Sequence, residues 1–448
     1  MARLFCMDST FTMTALGTEI GDQLGVSPLM TGDRNVSIDE ARAAIAAALQ
    51  PVIAPERVPL AMALGRVLAA DVLSPIDVPA HDNSAMDGYA FHGSEQMTGK
   101  STVLRSVGTL HAGAPWAGSV GAGECLRIMT GAVMPDGLDT VVPLELCRVE
   151  AGSAGDSVHI APGIIETGEN RRRRGEDLRA GLPALKAGRV LKPADLGLVA
   201  SLGIAALTVQ RRLRVALFST GNELRTLGQT LDAGSVYDSN RYSLMGALQR
   251  LGMEALDLGL VPDDPAALQA TLQDAMARAD VVLTSGGVSM GDADHTRDVL
   301  ARLGTVAFWK VAMRPGRPFA FGSLTREGDA PPCWLFALPG NPVAALVTFY
   351  ALAREALLQL AGATPAPLPA LQARCSTAIR KRPGRTEFQR GVVVPAVGGG
   401  WQVKLTESQG AGILRSMSEA NALVVLGHDQ CAVAEGELVD VWLFDGLS

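Results

Sequence analysis

The second half of the chain places carboxylates and glycines directly after apolar segments. Ser219-Thr220-Gly221-Asn222-Glu223 follows one segment, Asp263-Asp264 follows another, and Ser285-Gly286-Gly287 opens the run SGGVSMGDAD, which ends at Asp294. Mg²⁺ prefers carboxylate oxygens, and a glycine-rich turn lets backbone N–H groups approach phosphate oxygens closely. Together these residues indicate a phosphorylated ligand held with a divalent metal ion.

Cations cluster after a fourth apolar segment, in the run KVAMRPGRP from Lys310 to Pro318. Arg314 and Arg317 stand on a backbone stiffened by proline, which a solvated loop does not require. The planar guanidinium fork also matches the oxygens of an oxyanion. After a fifth segment comes the turn Pro339-Gly340-Asn341-Pro342. The pattern predicts an anion site beside the carboxylates.

Each feature taken alone also has a purely structural explanation. Taken alone, the Ser285 turn is more often just a tight connection from strand to helix, and Glu223 or Asp263 is more often a helix cap or a solvated turn residue. The run Arg171–Arg174, followed by Glu176-Asp177, is equally a solvated charged hairpin or a substrate contact. Their occurrence at successive segment ends favours a binding site over coincidence.

The apolar segments themselves predict an α/β domain. Alternation of apolar strands with helices indicates a doubly wound parallel sheet covered on both faces, and ligands bind beyond the carboxyl ends of such strands. The chemically promising residues follow those ends. Strands are expected over 213–220, 256–261, 280–284, 306–309 and 333–338, and helices over 239–251, 265–278 and about 342–360.

The flanking regions have a different texture. Residues 1–35 form a polar leader without clear periodicity, and Ser37-Ile38-Asp39-Glu40 is a capping box that predicts a helix to Leu49. From Val58 to about Gln210 the pattern indicates short strands and turns, apart from a helix over 193–202. A linker rich in proline and alanine at 361–370 precedes short strands of a small β-domain.

Length and composition exclude several classes of protein. A chain of 448 residues suggests about three domains, and a net charge of −7 argues against a general nucleic-acid coat. The six cysteines lack metal or disulfide spacing, which fits a reducing cytoplasm. We find neither a signal-peptide pattern nor eighteen consecutive uncharged apolar residues, and therefore expect no membrane span.

Eight strings occur together in the order found in one known family. The chain resembles, from about Ser37 to its C-terminus, the molybdopterin molybdenumtransferases, bacterial enzymes related to the C-terminal domain of gephyrin. The strings are DNSAMDGYA (82–90), RIMTGA (127–132), RRRGEDL (172–178), FSTGNEL (218–224), YDSNR (237–241), SGGVSMGDAD (285–294), FWKVAMRPGRP (308–318) and LPGNPV (338–343).

The resemblance implies a fold of four domains. They are an elongated discontinuous first domain at 36–74 and 174–211, a β-rich inserted lid domain at 75–173, a doubly wound molybdopterin-binding α/β domain at 212–363, and a C-terminal β-barrel-like domain at 364–448. It also implies a homodimer in which the lid of one subunit completes a cleft on the other.

The implied reaction combines molybdate with adenylylated molybdopterin, giving the molybdenum cofactor and AMP, with Mg²⁺. The expected partners are an upstream adenylyltransferase and downstream molybdoenzymes or their chaperones. Two alternatives remain, a molybdopterin adenylyltransferase and a scaffold or cofactor carrier without catalysis, as gephyrin also is. An adenylyltransferase would not need the lid, the first domain or the barrel, and a scaffold would tolerate loss of the acids that this chain retains.

Site roles are carried over from the resemblance by position. Catalytic roles fall on Asp294, Glu223, Asp263, Asp87, Asp177 and Thr130, with Glu223, Asp263 and Asp294 as metal ligands. Cofactor-binding roles fall on Ser285, Gly286, Gly287, Ser289, Lys310, Arg314, Arg317, Pro318, Pro339, Pro342, Arg385 and Arg390.

The chain departs from its relatives at a few of these positions. Arg314 and Arg317 stand where many relatives have lysine, His295 where an aromatic residue is usual, Arg297 where lysine is usual, and Ala411 where some have serine. A guanidinium fork is not a point charge, so these departures bear on molybdate affinity rather than on the class of reaction.

Overall fold

The computed structural model describes residues 35–444, without residues 97–98, 154, 288–292 and 367 and without the side chains of 293–295 and 308. The predicted leader, residues 1–35, therefore lies almost wholly outside the described residues. Over residues 35–211 the elements are β1 Asn35–Val36, α1 Ile38–Ala48, β2 Pro55–Pro59, β3 Val72–Leu73, β4 Asn83–Ser84, β5 Gly88–Phe91, β6 Thr102–Leu110, β7 Glu124–Ile128, β8 Thr140–Pro143, β9 Cys147–Glu150, β10 Ser157–Ile160, β11 Arg171–Arg172, β12 Pro183–Leu185, α2 Pro193–Ser201 and β13 Ala206–Gln210.

The predicted capping box is confirmed at the start of α1. The Ser37 hydroxyl accepts a hydrogen bond from the Glu40 N–H at 3.2 Å, and the Glu40 carboxylate accepts one from the Ser37 N–H at 2.8 Å. These two bonds satisfy N–H groups that have no partner inside the helix. The helix buries Ile38, Ala41 and Ile45 against the α/β core.

Two stretches that are distant in sequence share one small core. Strand β2 pairs antiparallel with β13, and β3 pairs antiparallel with β12. Leu68, Leu191, Val199 and Val209 are buried together between them. Residues 55–73 and 183–210 therefore pack as one unit, although more than a hundred residues of sequence lie between them.

The intervening residues form a sheet of their own. Its strand order is β8-β5-β7-β6-β10-β9, and a separate antiparallel pair joins β4 to β11. Gly88 lies so close to β8 that a Cβ would stand 2.0 Å from the Val142 carbonyl oxygen, which only glycine permits. The β4–β11 pair sets Ser84 opposite Arg171, so the DNSAMDGYA string lies against the arginine run.

A seven-stranded sheet forms the centre of the next part of the chain, in the order β1-β19-β21-β22-β18-β14-β17. Its buried strands carry apolar clusters on both faces, covered by helices, as expected of a doubly wound fold. The elements are β14 Arg214–Thr220, β15 Leu224–Arg225, β16 Val236–Tyr237, α3 Asn240–Arg250, β17 Glu254–Val261, α4 Pro265–Arg278, β18 Val281–Ser285, α5 Ala293–Leu303, β19 Gly304–Val311, β20 Met313–Arg314, β21 Pro318–Leu324, β22 Cys333–Leu338, α6 Pro342–Thr348 and α7 Arg354–Leu360.

The expectation of a wholly parallel sheet is wrong at one strand. Strand β21 runs antiparallel to both β19 and β22. Only the six residues 312–317, which include β20, join β19 to β21, and so short a connection can join antiparallel neighbours but not parallel ones. Because β21 reverses direction between them, β19 and β22 point the same way. Lys310 therefore still lies toward the carboxyl ends of the parallel strands.

The longest helical stretch runs through the core of this domain. A π-helical turn, Phe349–Ala353, joins α6 to α7. By length and hydropathy alone, the stretch Pro342–Leu360 could cross a membrane, but 67% of its most apolar window is buried inside the protein. Ala345, Phe349 and Leu357 pack within the main hydrophobic cluster. The stretch is accounted for as a core helix.

The C-terminal strands close into a barrel. Around it the order is β24-β25-β23-β27-β26, and β26 pairs back onto β24. Strand β20 also pairs with β24, which sets Arg314 opposite Glu387. The barrel therefore contacts the segment 310–318, the cationic loop, directly. The elements are β23 Leu371–Cys375, β24 Thr386–Pro395, β25 Trp401–Leu405, α8 Leu414–Glu419, β26 Ala422–Leu426 and β27 Leu438–Leu443.

A two-pronged ion pair joins the end of the first unit to the α/β domain. The Nη1 and Nη2 groups of Arg211 each donate to Asp280 at 2.7 Å, and the Arg214 N–H donates to the same carboxylate at 2.9 Å. Burial alone would raise the pKa of Asp280, but these hydrogen bonds and the Arg211 charge hold it below its ordinary value.

Replacing this carboxylate should show its contribution to stability. Asp280→Asn should lower the free energy of unfolding by about 2 kcal/mol at neutral pH, because a charged hydrogen bond is lost. With its pKa depressed in the folded state, the carboxylate stabilises the protein above the ordinary aspartate pKa. That contribution disappears as the pH falls through the depressed value. Urea unfolding at several pH values measures both effects.

The exposed pair Asp274–Arg278, one turn apart on α4, provides the control. Asp274→Asn should change the unfolding free energy by only a few tenths of a kcal/mol at any pH, because solvent screens such pairs. A destabilisation of Asp280→Asn that stays constant down to strongly acidic pH would contradict the ion-pair explanation.

Candidate active site

A cleft of about 1280 Å³ opens at the carboxyl ends of β14, β17, β18 and β22. Five turns form most of its wall, and two residues of the C-terminal part, Gly412 and Leu414, complete it. The predicted site residues that line it are Glu223, Asp263, Ser285, Gly286, Gly287, Pro318, Pro339 and Pro342. The structure thus brings eight of the predicted residues together.

Hydrogen bonds between two turns hold Asp263 on the acidic wall of the cleft. Asp263 accepts hydrogen bonds from the Thr220 hydroxyl and from the Asn222 N–H at 3.2 Å, while its own N–H donates to the Asn222 side chain at 3.3 Å. The Glu223 carboxylate folds over Gly221, where a Cβ would stand 2.6 Å from one of its oxygens. Both carboxylates therefore lie on the wall of one cleft, and hydrogen bonds hold that of Asp263 in place.

Two carboxylates with substrate oxygens are the usual protein environment of Mg²⁺, so Glu223 and Asp263 could hold that ion. No cluster of three His, Cys, Asp or Glu side chains with metal-binding geometry occurs among the described residues. The third predicted ligand, Asp294, lies in the first turn of α5, and its side chain is outside the described part, as is all of Ser289.

Glycine allows the turns at the cleft floor to touch. Gly286 has a φ of +92°, and a Cβ there would stand 2.3 Å from the Thr220 carbonyl oxygen. Its N–H donates to the Leu338 carbonyl at 3.1 Å. The turns after β14, β18 and β22 consequently meet backbone to backbone. The SGG and PGN strings predicted these turns but not the contact between them.

The cationic loop borders the cleft without lining it. Pro318 belongs to the lining, whereas Lys310, Arg314 and Arg317 are not among the described lining residues. The Arg317 guanidinium donates to the Asn35 side chain at 2.9 Å. The loop packs tightly on α6, since a Cβ at Gly316 would stand 2.2 Å from the Thr348 hydroxyl.

The two arginines predicted in the barrel differ in their surroundings. Arg390 is only 1% exposed, and its guanidinium donates to the carbonyls of Ser408 and Gly410 at 3.2 and 3.0 Å. Burial, together with the nearby Arg314 charge, lowers the pKa of Arg390 to about 10. Arg390 therefore shapes the turn that leads to the cleft rather than facing a ligand. Arg385 is half-exposed and pairs with Glu387.

The predicted site residues Asp87, Thr130 and Asp177 lie apart from the cleft. One Asp87 oxygen accepts hydrogen bonds from both the hydroxyl and the N–H of Thr130, each at 2.7 Å. These bonds lower the pKa of Asp87. Asp177 is exposed, and its N–H donates to the Val78 carbonyl. Within one chain, none of these three residues is among the described residues that line the cleft.

Sequence reasoning assigned no role to the polar residues that precede and begin α3. Asp238 and Asn240 both line the cleft and are nearly buried, at 2% and 8% exposure. The Asp238 carboxylate accepts a hydrogen bond from the Ser219 hydroxyl at 3.0 Å and pairs with Arg241. The available signal was the string YDSNR, where consecutive polar residues open a helix directly after a short strand.

The Asp87–Thr130 contact gives a pH test. Thr130→Val removes the hydroxyl donor and keeps the backbone N–H, so the pKa of Asp87 should rise toward its ordinary value. If an ionised Asp87 is needed for turnover, the acidic fall in activity should move to higher pH. A carboxyl titration of Asp87 by NMR and a pH–activity profile measure the two shifts. Thr130→Ser, which keeps a hydroxyl, should behave like the wild type, and an unmoved titration in Thr130→Val would contradict this account.

Comparison with known families covers most of the chain. Residues 36–203 match the model described as the MoeA N-terminal region (domain I and II), 216–359 match a probable molybdopterin binding domain, and 372–444 match the MoeA C-terminal region (domain IV). The three matched segments follow one another along a single chain, in the order expected from the eight strings.

Individual relatives agree with these matches. A molybdopterin molybdenumtransferase of Haemophilus influenzae is 38% identical over 413 residues, covering 92% of this chain and 99% of its own. One from a Nostoc species is 36% identical, covering 85% and 87%. A solved molybdopterin biosynthesis MoeA protein of Pyrococcus horikoshii is 30% identical with a TM-score of 0.69, covering 92% and 99%. The resemblance stated from the sequence is confirmed, and the chain belongs to the MoeA family of molybdopterin molybdenumtransferases.

Proposed function

We propose that this protein inserts molybdenum from molybdate into adenylylated molybdopterin, giving the molybdenum cofactor and AMP in a reaction that requires Mg²⁺. The observation that carries the proposal is the cleft itself. The carboxylates of Glu223 and Asp263 stand on one wall, and glycine turns that suit phosphate oxygens form its floor. Its position at the carboxyl edge of a doubly wound sheet matches where such folds bind ligands.

The protein's own groups would act by orientation and charge neutralisation. Molybdate is an oxyanion resembling sulfate, and Lys310, Arg314 and Arg317 stand beside the cleft at Pro318. The pterin's dithiolene sulfurs supply soft ligands that molybdenum prefers to oxygen. A bound Mg²⁺ would polarise the phosphoanhydride. Glu223 and Asp263 would hold that ion, and its charge would position the substrate's phosphate region.

We infer that each working cleft needs two chains. Asp87, Thr130 and Asp177 lie outside the cleft of their own chain, so a second copy would have to supply them. The first unit also exposes large apolar side chains, with Met62 at 66% and Leu64 at 52% exposure. Apolar surface of this kind suits a self-complementary interface, and a two-fold homodimer supplies one.

The proposed location is the cytoplasm. The five cysteines in the described part of the chain, Cys125, Cys147, Cys333, Cys375 and Cys431, are all free, which suits a reducing compartment. There the enzyme would receive its substrate from an adenylyltransferase and pass its product to molybdoenzymes or their chaperones.

One incubation separates this proposal from its two alternatives. The protein is mixed with adenylylated molybdopterin, molybdate and Mg²⁺, and both AMP release and cofactor formation are measured. Joint AMP and cofactor formation, dependent on molybdate and abolished by EDTA, is expected. Adenylylation of molybdopterin from ATP without molybdenum insertion would favour an adenylyltransferase, and tight binding without turnover would favour a scaffold or carrier.

The cationic loop gives a test of molybdate recognition. Arg314→Ala and Arg317→Ala should each raise the KM for molybdate about tenfold, because one charge-assisted hydrogen bond to the oxyanion is lost. The KM for the pterin should change much less. Lysine at either position should restore part of the affinity, because it returns the charge without the fork.

Arg278→Ala is the matched control, since it removes an exposed arginine at the far end of α4. It should leave both KM values unchanged. If the molybdate KM is also unchanged in both loop variants, the loop is a solvated surface feature and not the molybdate site.

Mixed dimers test the shared cleft. Asp87→Ala and Asp263→Ala should each be nearly inactive alone, because every cleft then lacks one acid. Co-expression should restore activity to about a quarter of wild type, since half of randomly paired dimers are mixed and each has one complete cleft. Differently tagged chains establish that pairing occurs. Activity that stays at the single-variant level despite proven pairing would refute the two-chain cleft.

A further inference from the structure

Asn240, the first residue of α3, joins two turns of the cleft through its side-chain amide. Its Nδ2 donates to the Ser285 hydroxyl at 2.7 Å and to the Gly340 carbonyl at 2.6 Å. The Ser285 hydroxyl in turn donates to the Pro339 carbonyl at 3.3 Å. Asn240 and Ser285 are 8% and 2% exposed, so water competes little for these bonds.

The turns need such a link because the sheet stops supporting them at this point. The ladder between β18 and β22 ends with Ser285 opposite Leu338, and the last backbone bond runs from the Gly286 N–H to the Leu338 carbonyl. Beyond it, a Cβ at Gly340 would stand only 3.8 Å from the Gly286 Cα. The amide of Asn240 therefore reaches the two turns where strand pairing no longer sets their spacing.

Asn240 is itself rigidly placed. Asp238 lies two residues before Asn240, and its side chain is 1% exposed. Its carboxylate accepts hydrogen bonds from the Ser219 hydroxyl and from Arg241 Nε, both at 3.0 Å. Arg241 also donates to Asp257 on β17 at 2.6 Å. The start of α3 is thus anchored to both β14 and β17, and this anchoring fixes the amide relative to the sheet.

We propose that Asn240 is a positioning residue for the molybdopterin substrate, setting the spacing between the 285–287 and 339–342 turns that the substrate's phosphate region contacts. The assignment rests on the proposed function. Ser285 acts in the same network, as the link between the amide and the Pro339 carbonyl, rather than as a direct ligand. The carboxylate wall and the cationic loop lie outside this network, so molybdate recognition should not depend on it.

Three variants probe the network in kinetic terms. Asn240→Asp keeps the shape but replaces the N–H donor by an acceptor that the Gly340 carbonyl repels, while Asn240→Ala and Ser285→Ala remove one partner each. The KM for adenylylated molybdopterin should rise about tenfold in each Asn240 variant, because about two neutral hydrogen bonds are lost. That tenfold rise corresponds to about 1.4 kcal/mol. The KM for molybdate and kcat should stay within about twofold of wild type, because the carboxylate wall and the cationic loop lie outside the network. The double variant Asn240→Ala/Ser285→Ala should bind no more weakly than Asn240→Ala alone, as expected of one network.

Asn421→Ala is the matched control. This asparagine holds the barrel by a similar pair of bonds, accepting from the Val393 N–H at 2.7 Å and donating to the Val393 carbonyl at 2.9 Å. It should lower the thermal stability without raising the KM for the pterin. If Asn240→Ala fails to fold, Asn240→Asp and Ser285→Ala carry the same comparison.

The outcomes separate this assignment from the proposed function. An active wild type with an unchanged pterin KM in Asn240→Asp would overturn the assignment alone. So would equal losses for pterin and molybdate that track the loss of thermal stability, because that pattern marks a merely structural residue. A wild type that inserts no molybdenum would overturn the proposed function and the assignment together.

Discussion

The carboxyl edge of the central sheet is built around a backbone contact that leaves no room for side chains. At Gly286 a Cβ would press against the Thr220 carbonyl oxygen at 2.3 Å, so the turns after β14 and β18 can meet only through glycine. Because the floor is made of backbone, the surrounding side chains are distributed around it. Carboxylates stand on the β14 and β17 side, prolines on the β22 side, and the buried amide of Asn240 reaches between the turns.

On the opposite border of the cleft, the cationic loop is held in place by several elements at once. The loop that carries Arg314 and Arg317 is paired with barrel strand β24, packed on α6 at Gly316, and bonded to Asn35. The barrel in turn is linked to the cleft by the turn that Arg390 holds. That turn's Ala411 carbonyl accepts the Val343 N–H at 3.0 Å. Arg390 can hold this turn as a buried cation because its guanidinium donates to three oxygen acceptors.

Local signals predicted much of this from the sequence. The helix over 265–278 was predicted with its observed bounds, because Asp264 caps it and proline occupies its first position. The cleft residues Glu223, Asp263 and Gly286 were predicted because parallel strands deliver their ends to one edge. Strand β21 was missed, since its reversal follows from the short connection 312–317 rather than from periodicity. The burial of Arg390 was also missed, because its acceptors at 408, 410 and 416 are brought near only by the closed barrel.

Strand β1 has a consequence for how the chain acquires its structure. Asn35–Val36 forms the outer edge of the central sheet, yet its partners are Lys310 and Val311, so the contact spans 310 − 35 = 275 residues. Such a contact has a high contact order, and closing so large a loop is slow compared with forming neighbouring hairpins. During synthesis, the first unit and the lid leave the ribosome well before β19 exists. The edge next to the cationic loop is therefore among the last parts of the sheet to be completed, and Arg317 gains its Asn35 partner only then.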